Sequence, residues 1–131
     1  MNHNMAKEWL LSASADLETI NEIINNENLT HVMAFHSQQC VEKSLKAVLE
    51  FYELPTPKTH SILKLSKLAS KYYDVNNNEM SDELDKLYID TRYPGDFGLL
   101  PDGKPSIKRA KIFYNFAKII FEEITIIVTQ R

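Results

Sequence analysis

This chain has a single cysteine, three glycines and no excess of positive charge among its 131 residues. Cys40 alone cannot form an internal disulfide, which suits a reducing cytoplasm. A formal charge of −3 argues against a chain built mainly to coat nucleic acid or an anionic membrane. No apolar run approaches membrane-spanning length, and Met1-Asn2-His3-Asn4 lacks the basic start and apolar stretch of a signal peptide. A cytoplasmic protein is the expectation. Strand signals are nearly absent. Even the β-branched tail Ile124-Thr125-Ile126-Ile127-Val128 continues a helical spacing. Metal-ligating sets are missing too. His36 and Cys40 stand one turn apart with no third ligand at usable spacing, so a small buried thiol beside a solvated histidine is expected, with no metal and no cofactor.

What remains is helix. Residues Trp9, Ala13, Leu17, Ile20 and Ile24 recur at helical spacing from about Met5 to Asn26. Thr30 is a reasonable N-cap for a second helix that runs to about Glu53, where Leu54-Pro55-Thr56-Pro57 forces an extended connection. Thr59 or Ser61 can cap a third helix carrying Ile62, Leu65, Leu68, Ala69 and Tyr72. Met80, Leu84, Leu87 and Tyr88 indicate a fourth, shorter one that stops at Tyr93-Pro94-Gly95. Every glycine and three of the five prolines fall between Arg92 and Pro105, a loop long enough to be functional. The last helix starts near Ser106 with Ala110, Phe113, Ala117, Ile120, Ile124 and Val128 as its stripe. Ile112, Ile119 and Ile126, grouped with Phe113, widen the apolar surface and predict burial against a second subunit. The expected fold is all-α: an antiparallel up-and-down bundle of four long helices plus a minor one, a single domain over 1–131.

The second helix carries the sharpest signal. At 100° per residue Ala34, Phe35, Val41, Leu45, Val48, Leu49 and Tyr52 share one broad face, and Met33, Cys40, Ala47 and Phe51 form a second flank. Only His36, Gln39, Lys43, Lys46 and Glu50 are left for a narrow polar stripe. Gln38 and Glu42 fall inside the apolar face. A helix so apolar is central in its bundle. A carboxylate on that face must be paired, because an isolated one costs several kcal/mol or loses its charge. Arg92 is the first-choice partner for Glu42.

The run His36-Ser37-Gln38-Gln39-Cys40-Val41-Glu42-Lys43-Ser44-Leu45-Lys46-Ala47, then Lys58-Thr59-His60-Ser61, then Asp90-Thr91-Arg92-Tyr93-Pro94-Gly95, resembles the HEPN domain family. Its members show a Q-x-x-E-K-x-x-K-A helix, a T-H loop and an R-Y-P-like segment in this order, and the likeness covers essentially the whole chain. The resemblance implies a dimer that binds a nucleotide or RNA, with a separate nucleotidyltransferase as a possible partner in a toxin–antitoxin-like system. It also implies an alternative, an endoribonuclease toxin, whose R-x(4–6)-H motif pairs a phosphate-steadying arginine with a proton-moving histidine. Here positions 97 to 99 are Phe97, Gly98 and Leu99, so the motif is incomplete, and only a displaced His60 could replace the histidine. A purely structural homodimer is the third reading.

Several residues carry both an ordinary and a functional reading. Arg92 is either a helix-terminal structural residue or a phosphate contact beside the glycine-bearing loop. His60 either packs at its loop or serves as an acid–base group. Lys104, Lys108, Arg109 and Lys111 form either a solvated face or, with Arg92, Tyr93 and Lys58, a modest anion-binding rim at a helix N-terminus. Gly95-Asp96-Phe97-Gly98 is no P-loop: it lacks the Lys-Ser/Thr pair and a preceding strand.

Overall fold

A computed structural model describes residues 2–92 and 103–129, with the side chains of 90–92 excepted. The fold is all-helical. Its elements are α1 (His3–Glu22), a 3₁₀ turn (Glu27–Leu29), α2 (Thr30–Phe51), α3 (Ile62–Ala69), α4 (Asn78–Arg92) and α5 (Ile107–Thr129). α2 packs against all four other helices, with α1 and α5 touching each other and α3 and α4 touching each other. The central helix is therefore the one whose circumference is most apolar.

Local chemistry sets the ends. The Asn2 side chain accepts from the Met5 amide at 3.2 Å and caps α1. Ser61 caps α3 by accepting from the Lys64 amide at 3.1 Å. Glu53 takes a left-handed φ of 56° just past α2, and the Leu54 amide returns to the Leu49 carbonyl at 2.8 Å. Pro55 then keeps the chain extended.

Three expectations need correction. Thr30 does not cap α2: Leu29 sits at that position, and the Thr30 hydroxyl is buried with no hydrogen-bond partner among the described residues. The 3₁₀ turn delivers the chain already coiled, so Thr30 enters with helical angles, and a helical residue cannot cap. The minor helix is the third, at 8 residues, while the fourth runs for 15. Leu68, read as core, is exposed.

α5 buries Ala110, Phe113, Ala117, Ile120, Ile124 and Val128, as its stripe predicts. Phe113 belongs wholly to this core, not to the outer surface with Ile112, Ile119 and Ile126. Cys40 lies in the same core against α5, its Sγ 3.9 Å from the Ala117 carbonyl. Burial, then the nearby Asp16 carboxylate, push the thiol's pKa from 9.0 up to about 12. The native thiol should therefore resist a disulfide reagent at pH 8 and react once the chain is unfolded. The sign for stability follows. Below about pH 9 neither state ionises the thiol. Above it the unfolded chain does and the folded chain does not, so stability falls as pH rises towards 12. Denaturant titrations from pH 9 to 12 should show a shallower fall in Cys40→Ala than in the parent. Parallel slopes would contradict the assignment.

Candidate functional site

Glu42 is the centre of the site. Its side chain is 5% exposed, yet both oxygens are engaged. Oε2 accepts from Lys46 Nζ at 2.9 Å. Oε1 accepts from Gln39 Nε2 at 3.2 Å and faces His60 Nδ1 at 3.1 Å. Glu42 and Lys46 stand one turn apart, so the helix itself sets their distance. Lys46 is only 7% exposed on its side chain, and its ammonium lies 5.2 Å from the centroid of the Trp9 ring on α1. Lys46 thus leaves the solvated stripe to which helical spacing assigned it. The wheel knows nothing of α1, which covers that side of α2.

The rest of the stripe behaves the same way. His36 Nδ1 lies 2.7 Å from Asp16 Oδ1, and Lys43 Nζ donates to Asp16 Oδ2 at 2.9 Å. Asp16 is itself buried on α1. The histidine beside Cys40 is therefore tied across the α1–α2 contact and is not simply solvated. Among the described residues no cluster of metal-ligating side chains occurs.

Beyond Glu42, Gln38 and Asp85 hold the His60 loop. Gln38 Nε2 donates to the His60 carbonyl and, at 3.3 Å, to Asp85 Oδ1, while Gln38 Oε1 accepts from Gln39 at 2.8 Å. Asp85, on α4, accepts from the Ile62 amide at 2.9 Å, the Leu63 amide at 3.1 Å and the Ser61 hydroxyl at 3.0 Å. One carboxylate thereby meets the exposed first amides of α3, where a negative charge also suits the helix dipole. The loop before α3 is fixed at both ends.

These fixings place His60 at the mouth of a cleft of about 370 Å³ between α3 and α4, with Ser61, Leu63, Asp82, Asp85, Lys86, Tyr88 and Ile89 as further walls. The Tyr88 ring stacks on Phe35 at 5.5 Å and lies 5.4 Å from the imidazole. More than half of the His60 side chain is exposed. With Nδ1 against Glu42, the neutral ring keeps its proton there, and Nε2 becomes the acceptor that a ligand can meet. The two carboxylates in the walls are occupied: Asp85 as above, and Asp82 by Lys86 at 3.0 Å. Such walls suit a flat, weakly charged ring better than a phosphate.

The structure thus brings His60, Gln38 and Glu42 together. It does not bring the basic residues to them. Lys58 and Lys108 are exposed, Lys104 donates to the Asn28 carbonyl at 3.1 Å, and none of these or Arg109 lines the cleft. Arg109 makes two hydrogen bonds to Glu83, which hold its guanidinium still more firmly charged, and lies 5.0 Å from the Phe113 ring. Tyr93 and the side chain of Arg92 lie outside the described residues, as does the rest of that loop up to 102. Glu42 has its pairing among the described residues in Lys46, Gln39 and His60. Sequence reasoning missed Asp85 and Lys46. The Glu42–Lys46 spacing of four could have shown the second, whereas no local pattern marks the first.

Comparison with known proteins agrees with this geometry. The family model described as HEPN domain matches residues 6–125. The fold is similar to a crystal structure of an archaeal HEPN homologue, with a TM-score of 0.73 and 24% identity over 96% of this chain and 99% of that one. No curated protein matches. No helix among the described residues is long and apolar enough to cross a membrane.

Proposed function

Since this chain belongs to the HEPN domain family, we propose that it works as a dimeric module that binds a nucleotide or a segment of RNA. One observation carries the reading: a buried carboxylate orients His60 at the mouth of a cleft whose inner wall is aromatic. A base would lie against His60 and Tyr88, and Arg92, at the end of α4, would take the phosphate. Lys58, Tyr93, Lys104 and Lys108 would add at most a diffuse attraction. Residues 1–131 would act as one domain in the cytoplasm, either alone or with a nucleotidyltransferase in a toxin–antitoxin-like pair.

The Glu42–His60 contact favours a second reading, an endoribonuclease with His60 as the displaced proton carrier. A carboxylate behind a histidine is how a general base is oriented. Against it stands the incomplete motif after Arg92, since an arginine alone cannot move protons at neutral pH. Purified protein incubated with mixed RNA, and separately with labelled nucleoside triphosphates, distinguishes the two. The expected result is salt-sensitive binding lost in Arg92→Ala, weakened roughly tenfold in His60→Ala for one lost hydrogen bond, and no cleavage. Cleavage abolished by either substitution would make the protein an enzyme. No binding in the parent would leave the structural homodimer.

A further inference from the structure

α5 keeps an apolar strip that nothing in the chain covers. Ile112 is 37% exposed, and Ile119 and Ile126 are each 54% exposed. Their spacing is seven, so at 100° per residue they drift by only about 20° and form one line along the helix. The opposite side of α5 holds the core residues and packs on α2 and α1. Within about 60° of the isoleucine line lie Lys108, Asn115, Glu122 and Glu123. None of the residues lining the His60 cleft belongs to α5.

We infer that this strip is the interface with a second copy of the chain, the two α5 helices running antiparallel about a twofold axis at Ile119. The inference rests on the dimer reading above and specifies its surface. The argument is self-complementarity, which a twofold interface requires because the same patch must meet itself. In this register Ile119 faces its own copy and Ile112 faces Ile126 at both ends. Asn115 faces Glu123, an amide donor opposite a carboxylate whose Oε1 also accepts from Tyr73 at 2.6 Å. Lys118 comes within about 3 Å, along the axis, of the partner's Glu122, taking 1.5 Å of rise per residue.

A parallel pairing in register fails on charge. The basic residues Lys108, Lys111 and Lys118 precede the midpoint or adjoin it, and Glu122 and Glu123 follow. Side-by-side parallel copies set like charges opposite one another, and antiparallel copies bring the positive half to the negative half. Lys111 already holds Asn25 Oδ1 at 2.9 Å, so Lys118 and Lys108 are the lysines available to the partner.

Cysteine cross-linking of the full chain tests the register, with Cys40 too deeply buried to interfere. Under mild oxidation Ile119→Cys should give a covalent dimer. Ile112→Cys and Ile126→Cys should each stay uncoupled alone and couple when mixed. Ile119→Lys, at an exposed position, should keep its helical circular dichroism and fall from twice the 15.2 kDa chain mass to that mass in light scattering. Cross-linking of Ile112→Cys alone would overturn the antiparallel arrangement. A dimer that survives Ile119→Lys and gives no Ile119→Cys cross-link would remove this interface and leave the dimer reading intact. A monomeric parent at micromolar concentration would remove both.

Discussion

Replacing Glu42 with alanine should lower the free energy of unfolding by about 3–5 kcal/mol. The carboxylate is nearly inaccessible, and the ammonium it neutralises, on Lys46, is almost equally buried. Removing Glu42 strands that ammonium among Trp9 and the α1–α2 contact, where water cannot solvate it. Gln39 and His60 lose their acceptor at the same time. Glu42→Ala combined with Lys46→Met should recover much of the loss, because an apolar pair of similar volume leaves no orphaned charge. Glu50 is the internal control. It is half-buried and accepts only from the Thr56 hydroxyl at 3.1 Å, so Glu50→Ala should cost no more than about 1.5 kcal/mol. Urea titrations of the four variants against the parent measure all of this. Similar small losses at 42 and 50, or no recovery in the double variant, would refute the buried pair.

The second large effect is expected at Asp85, which ordinary inspection of a half-buried helical aspartate would pass over. Its carboxylate accepts from two amides, one hydroxyl and one side-chain amide, joining α4 to the start of α3 and to α2. Asp85→Ala should cost about 2–3 kcal/mol, since bonds to a charged acceptor are lost and water replaces only some of them. Asp85→Asn, which keeps one acceptor oxygen, should cost roughly half of that. The readout that isolates the mechanism is amide hydrogen exchange. Ile62 and Leu63 should exchange at least about tenfold faster in Asp85→Ala, because 1.4 kcal/mol of local protection is a factor of ten. Unchanged exchange at those two amides would show that α3 does not depend on the carboxylate. The same substitution should also weaken ligand binding, because Asp85 shares Gln38 with the backbone of His60.

The sequence by itself determined the helices and the place of α2 among them. Apolar residues repeat at 3.6, and a helix that is apolar around most of its circumference can satisfy that surface only by being surrounded. The same periodicity put Gln38 and Glu42 inside the core, and the absence of a histidine after Arg92 needed no coordinates at all. Partners were another matter. Helical spacing placed Lys46, His36 and Lys43 in a polar stripe and left Glu42 in want of an arginine. In the folded chain α1 covers that stripe: Asp16 takes His36 and Lys43, Trp9 flanks Lys46, and Lys46 turns back one helical turn to Glu42. Asp85 shows the same limit more sharply. A cap is normally read from the residues beside a helix start, and here the main acceptor arrives from 23 residues further along the chain. Periodicity reports which way a side chain faces on its own helix. What it meets there depends on which helix comes to lie against it, and only tertiary packing decides that.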